Sequence, residues 1–330
     1  MFDLVVGFSY SQVLRAVIDS GLLPILREGP ISLADIAARI DLTEHATATL
    51  VRAARSLQLA EEVLPDGWML GEQGAVLDAD PGTQAMIRHH RLLYSDLADP
   101  LALLRENRGQ PTGLSTYWSY AGALHGNAEA GEGTHEYSEL MAVSQSFIAD
   151  QVLAAFSFRG TKRLLDVGGG HGAFVKRVGA AYPELKLGVF DLPQVIAGGE
   201  TALVRELGPQ RCSLHPGDFF IDSIPTGYDL ISLVRILHDH DDEPAHALLA
   251  NIRASLGPKK RLLIAEPMAQ APGAEAMGEA FFGLYLWAMG SGRPRSPDEI
   301  IAMLKRAGFS SARVIATSQP VIASMIVARA

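Results

Sequence analysis

The chain has 330 residues and 48% hydrophobic content, enough for two cores rather than one, so two domains are expected. Its 28 basic residues stand against 37 acidic ones, a formal charge of −9, which argues against nucleic-acid phosphates or an anionic membrane face as the main partner and for a small molecule or another protein. Cys212, the single cysteine, can close no internal disulfide. No basic stretch and cleavable apolar run open the sequence, and even Phe281–Met289 is far shorter than the roughly 20 apolar residues that cross a bilayer. The expectation is a cytoplasmic protein without integral membrane association.

Leu4, Val5, Phe8, Val13, Leu14, Val17 and Ile18 recur at helical spacing and predict a helix that is apolar on more than one side and needs a partner surface. Ser32 is predicted to cap a helix over Leu33–Ile40. Thr43 opens a second one running to about Leu57, and Val63–Leu70 reads as a hairpin turning at Pro65-Asp66-Gly67. That order is winged-helix-like. Such a module either reads DNA through its second helix or serves as a structural or dimerising unit. The surface offered by Glu44, His45, Thr47, Arg52 and Arg55 is weakly basic at best, which favours the second use.

Helical segments continue to about Arg105, and Gly109–Gly133, rich in Gly, Ser and Tyr, reads as a loop holding a short helix. The domain joint is expected near Gly131, giving a helical, winged-helix-like dimerisation domain over 1–131 and a second domain over 132–330. A helix from about Tyr137 to Phe156 leads into apolar strands alternating with amphipathic helices. Strands are expected at Arg163–Val167, Leu187–Phe190, Cys212–His215, Asp229–Leu233 and Arg261–Ala265, which implies an α/β, Rossmann-like, mostly parallel sheet with helices on both faces. Ala312–Thr317 and Val321–Val327 are too close in sequence for a crossover and are expected as an antiparallel pair at the sheet edge.

The first of these strands ends in Leu164-Leu165-Asp166-Val167 and enters Gly168-Gly169-Gly170-His171-Gly172 before a helix. Glycines there let a ligand approach the backbone closely, and the helix start offers amide hydrogens and a positive dipole. Gly168, Gly170 and Ala173 also satisfy the dinucleotide fingerprint GxGxxA, with Asp191 about 20 residues on to hold a ribose, so an NAD site and a purely structural turn stay open on this motif alone. Asp166 suits a ligand with a cationic ammonium or sulfonium group better than a pyrophosphate. Asp218 and Phe219, after the third strand, could grip an adenine amino group and ring face. The fourth strand ends in Arg235-Ile236-Leu237-His238-Asp239-His240-Asp241-Asp242-Glu243, at the edge where ligands of such sheets bind.

Methyl transfer from a sulfonium to an alcohol needs a base to take the hydroxyl proton, and His238 is the candidate. His238 and His240 alternate on a strand-like stretch and would point oppositely, so no shared metal is expected; Asp241, Asp242 and Glu243 suit the first turn of the next helix. Glu266, ending the fifth strand, would hold the other ring nitrogen of His238 and stabilise the imidazolium. Met277, Phe281, Phe282, Tyr285, Leu286 and Met289 recur near helical spacing, either as core or as an acceptor wall whose methionines would suit a long apolar chain. Phe281, Tyr285 and Met289, with Met141, are the candidate substrate residues.

The ordered set LLDVGGGHG, FDLPQVI, GDFF, VRILHDHDDE and LLIAEP resembles the small-molecule O-methyltransferases of the caffeate and acetylserotonin type, over nearly the whole chain. The resemblance implies a class I methyltransferase domain behind a dimerisation domain, a homodimer, and S-adenosylmethionine as cofactor. It implies binding of that cofactor by Asp166, Gly168, Gly170, Asp191, Leu192, Asp218, Phe219 and Arg235, and His238 as base. Plant members flank the histidine with a second glutamate in a GGxER segment. Here Ser291-Gly292-Arg293-Pro294-Arg295 stands there, with Pro294 in the glutamate's place, so Glu266 or Asp239 must orient the ring alone. Within the family, FDLVVGFSYSQVL, HHRLLYSDLADPLALLR and YLWAMGSGRPRS resemble bacterial O-methyltransferases of hydroxylated carotenoids such as hydroxyneurosporene, implying an apolar hydroxylated acceptor. A phenol, thioether or carbon acceptor and, distantly, a DNA-binding regulator are the alternatives.

Overall fold

The computed structural model of the chain describes residues 1–105, 110–117 and 134–330, without the side chains of 134–144 and 198–201. Two compact units are formed, Met1–Ser95 and Asp96–Ala330. The joint expected near Gly131 lies outside the described residues.

In the first unit α1 (Phe2–Asp19) and α2 (Leu22–Arg27) are separated at Gly21, whose backbone takes a left-handed φ of 70°. The capped helices follow as expected: α3 (Leu33–Ile40) starts where the Ser32 hydroxyl accepts from the Asp35 amide, and α4 (Glu44–Ser56) where Thr43 accepts from that of Ala46. Each such cap contributes about 1 kcal/mol. The hairpin of β1 (Ala60–Leu64) and β2 (Gly67–Leu70) turns at Pro65-Asp66 and begins at Ala60 rather than Val63, because Leu59 and Ala60 belong to the core with Val17, Leu22, Ile36, Val51 and Trp68. α5 (Glu72–Asp78) and α6 (Pro81–Asp96) complete the region. The first turns of α1 stay bare: Phe2, Leu4, Val5 and Phe8 are between 62% and 81% exposed.

The second unit carries α7 (Pro100–Arg105), the short α8 (Gly113–Tyr117) and α9 (Thr134–Ala155) ahead of its sheet. The five expected strands appear to within a residue as β3 (Arg163–Val167), β4 (Lys186–Asp191), β5 (Cys212–Pro216), β6 (Leu230–Val234) and β7 (Arg261–Glu266). They alternate with α10 (Ala173–Ala181), α11 (Pro193–Leu207) and α12 (Asp242–Ser255); α13 (Phe282–Met289), α14 (Pro297–Arg306), β8 (Ser311–Ile315) and β9 (Ser324–Arg329) follow. The order β5-β4-β3-β6-β7-β9-β8 is parallel through the first five, with β9 antiparallel to β7 and β8 antiparallel to β9. The antiparallel pair is therefore as expected, but the later strand lies inside the earlier one. Its connection is longer than the expected three residues, because the Gln151 side chain accepts from Ser318 and Gln319, and the Thr317 hydroxyl donates to the carbonyl of Ala323.

Successive side chains of each strand point to opposite faces, and both faces are covered. Leu164, Val189, Leu230, Leu263 and Met325 pack with Val152, Phe174, Val178 and Leu203 from α9, α10 and α11. Leu165, Val167, Ile231, Leu233 and Ile264 pack with Leu248, Ile252, Ile300 and Leu304 from α12 and α14. From β3 the chain builds outward through β4 to β5, then returns to β6 on the other side of β3. The carboxyl ends of β3 and β6 thus form the topological switch point, where open α/β sheets bind ligands.

Candidate active site

At the end of β3, Gly168 has φ 71°, and a β-carbon there would lie 2.4 Å from Cδ1 of Ile236. The absence of a side chain lets the turn after β3 and the turn after β6 pack together. At Gly170, φ 57°, a β-carbon would meet nothing, so this glycine has an open side next to the start of α10. Its amide donates to Oδ2 of Asp191 at 2.7 Å, and the Leu192 amide donates to Oδ1 at the same distance. The glycine turn is thereby pinned to the end of β4. Burial raises the pKa of Asp191, and those two amides partly oppose the rise.

Asp166 sits opposite Ser232 in the β3–β6 register and is 1% exposed; the Ser232 hydroxyl donates to its Oδ1 at 2.6 Å. Burial lifts its pKa from 3.8 to about 7, against the pull of the Ser232 bond and with a further push from the charge of Asp191. A buried acid held at this point gains most from a cationic neighbour. After β5, Asp218 accepts from the Phe220 amide at 2.8 Å, and the rings of Phe219 and Phe220 meet edge-on, with His240 against both at 5.6 and 5.0 Å between centroids. Three carboxylates on successive strand ends, an open glycine turn and an aromatic pair are a donor set that fits S-adenosylmethionine: a cationic amino acid and sulfonium, a ribose diol and an adenine.

β6 leads into Arg235, a non-glycine residue at φ 56°, whose amide donates to the Ala265 carbonyl at 2.9 Å. Left-handed backbone is uncommon for such a residue and concentrates at functional sites. The stretch after it, expected to be strand-like, is a 3-10 turn, Leu237–Asp239. His238 and His240 nonetheless reach different surroundings. His238 is 2% exposed, with Nε2 at 3.2 Å from Oδ1 of Asp239 and its ring centroid 5.7 Å from that of Phe282. Its Nδ1 is buried without a hydrogen-bond partner among the described residues.

Glu266 is in the right place but does a different job from the one expected: its Oε2 accepts from the main-chain amide of His238 at 3.2 Å, and Asp239 is the carboxylate at the ring. Burial opposes charge on the His238 ring, yet the charge and hydrogen bond of Asp239, with the charge of Glu266, outweigh it against Arg235, so its pKa lies above the ordinary histidine value. Burial likewise works against the Asp239 charge, but His238 brings that pKa below the usual range; for Glu266 burial wins and the pKa rises.

Asp241 and Asp242 open α12 as expected, and Asp242 is also the acceptor of Arg293 and Arg295. These two arginines flank Pro294, and their role was invisible in the sequence beyond their place in the SGRPR run. Phe281, Phe282 and Tyr285 form one aromatic cluster, with centroids 5.0 to 6.2 Å apart, across a π-helical turn (Met277–Phe281) that shifts the helical spacing. Met289 is buried at the end of α13, and the side chain of Met141 lies outside the described residues.

A model of the O-methyltransferase domain matches residues 94–310, and one of the O-methyltransferase dimerisation domain matches residues 2–74. The chain is 41% identical over 326 residues to a demethylspheroidene O-methyltransferase of Rhodobacter capsulatus, covering 99% of this chain and 80% of that one. It is 37% identical over 328 residues to the one of Cereibacter sphaeroides, covering 99% and 86%. The structure of human N-acetylserotonin methyltransferase in complex with SAM superposes with a TM-score of 0.78 at 25% identity, covering 99% of this chain and 95% of that one. The Rossmann-like sheet, the strand-end carboxylates and these likenesses agree: the chain belongs to the O-methyltransferase family and is an S-adenosylmethionine-dependent methyltransferase.

Proposed function

We propose that the acceptor is a hydroxyl on a long apolar molecule, a hydroxycarotenoid of the demethylspheroidene kind, and that His238 is the general base. The observation that carries the second part is the buried Nδ1 of His238, which has no hydrogen-bond partner among the described residues: with Nε2 toward Asp239, the proton resides on Nε2 and Nδ1 keeps its lone pair. Bound S-adenosylmethionine supplies a methyl group on a sulfonium, open to in-line displacement by the acceptor oxygen. The hydroxyl proton passes to Nδ1 as the C–O bond forms, and Asp239 stabilises the imidazolium. An aliphatic hydroxyl is a much weaker acid than a phenol, so proton and methyl move together. Alignment within the buried site then supplies much of the acceleration.

The acceptor reading is supported by the names of the two bacterial relatives and by the Phe281, Phe282 and Tyr285 cluster beside His238. Asp166, Gly170, Asp191, Asp218 and Phe219 are assigned to the cofactor on the fit described above, and Gly168, Leu192 and Arg235 on their places in the same strand-end turns. The dimerisation-domain match, with the bare apolar turns of α1, supports a homodimer.

The test is turnover with labelled methyl donor on demethylspheroidene in detergent, beside a panel of phenols, and a His238→Asn variant. Expected are methylation of the carotenoid hydroxyl, a loss of at least about 100-fold in the variant, and unchanged cofactor binding. Faster turnover on a phenol would replace the acceptor, and full turnover by the variant would remove His238 as base.

A further inference from the structure

We propose that Ser291–Arg295 is a clamp that orients His238 by gripping the main chain of its turn, with Arg295 as the principal positioning residue. All four carbonyls from Leu237 to His240 are taken by this one segment. Arg295 donates through Nη1 to Leu237 at 2.9 Å and through Nη2 to His240 at 2.7 Å; the Arg293 amide donates to His238 at 3.0 Å and the Ser291 hydroxyl to Asp239 at 2.9 Å. The Gly292 amide adds a bond to Oδ1 of Asp241, and Arg295 and Arg293 both bind Asp242, the first residue of α12. His238 is thus held at its amide by Glu266 and at its carbonyl by Arg293, which fixes the direction in which its side chain leaves the turn.

Two features mark the grip as specific. Gly292 has φ 78°, and a β-carbon there would lie 2.1 Å from the carbonyl oxygen of His238, so only glycine lets the segment come this close. Arg295 is 1% exposed and serves two carbonyls and a carboxylate in different directions. A planar guanidinium fork can do that, whereas a lysine ammonium on a flexible stem cannot reach all three. No atom of the segment is needed at the ring itself, so the action is on orientation, not on chemistry.

The inference rests on His238 as base, and its test separates the two ideas. Arg295→Lys and Ser291→Ala are compared with Arg253→Lys, a control at the far end of α12 whose arginine also binds main-chain carbonyls, of Gly308 and Leu256. Measured are kcat on demethylspheroidene, cofactor affinity by calorimetry, thermal unfolding, and the NMR titration of the His238 ring, assigned by its loss in His238→Asn. The charged or titratable groups that face or back His238 are Asp239 and His240 on the turn, Glu266 on β7, Arg235 after β6, and Arg295. All except the substituted Arg295 are unchanged in the variants.

The clamp predicts that Arg295→Lys lowers kcat about 10- to 100-fold, as a displacement of the order of 1 Å does, and shifts the His238 titration, with cofactor affinity within about twofold. Ser291→Ala should lose about 2- to 5-fold with the same signature, and it serves alone should Arg295→Lys fail to fold. Unchanged kcat and titration would overturn the clamp, and so would losses that track thermal stability equally in all three variants. A shifted titration together with full turnover by His238→Asn would leave the clamp standing and remove the base.

Discussion

Asp166→Asn is expected to raise the stability of the protein while weakening its hold on S-adenosylmethionine, and the stability gain should grow with pH. Asp166 is 1% exposed and its pKa is lifted from 3.8 to about 7. A shift of about three units corresponds to about 4 kcal/mol opposing the ionised side chain in the fold. The sign follows from proton binding: the folded state holds the proton more tightly than the unfolded chain, so this penalty is absent below the ordinary carboxylate value. It grows as pH rises and is complete above about 7. Asparagine removes the charge and still accepts from Ser232, but it adds amide hydrogens that need partners, so a net gain of roughly 1 to 3 kcal/mol is expected at pH 8. For a unit of this size that raises Tm by on the order of 5 °C. Thermal unfolding from about pH 5 to pH 8.5, with and without S-adenosylmethionine, reads both effects, and the gap between variant and parent should widen with pH while the rise in Tm given by the cofactor shrinks. A gap independent of pH would refute the burial argument, and an undiminished cofactor effect would refute the placing of Asp166 at the cation.

Asp239→Asn should move the acidic limb of the kcat–pH profile to lower pH, because the carboxylate that raises the His238 pKa is lost and the neutral base survives further into acid. The plateau above the limb should fall roughly 100-fold as the imidazolium loses its partner; a limb that stays put would assign it to another group. Phe8→Glu, on the bare turns of α1, should convert a dimer into a monomer in light scattering after size exclusion, and an unchanged mass would place the dimer contact elsewhere.

β3, β4, β6 and β7 could be read in the sequence because each is a short, mostly apolar and buried run; β5, at the sheet edge and half-exposed, was legible from its place in the strand–helix alternation. The edge pair was legible in its direction but not in its ends. Its connection is opened by Gln151, a residue on α9 far away in sequence that no local pattern links to Ser318. In the proposed site, Asp166, Asp191, Asp218 and His238 stand out in the sequence because chemistry-bearing residues at strand ends break the apolar pattern. The 3-10 form of the His238 turn was not, since its carbonyls are drawn by Arg295 and Arg293 from a separate segment. The same blindness explains Glu266. Its position at a strand end was readable, but whether its oxygens meet a ring or a main-chain amide depends on a register that only the folded turn sets.

The strand order also sets a timetable. β7, which ends in Glu266, pairs along its full length with β9, Ser324 standing opposite Glu266 itself. During synthesis the residues of the glycine turn and of the His238 turn leave the ribosome well before Ser324–Arg329, so β7 waits with one open edge until those residues arrive. Glu266 therefore gains its second neighbouring strand only once Ser324–Arg329 has paired, so the last strand of the sheet backs the residue that holds the His238 amide.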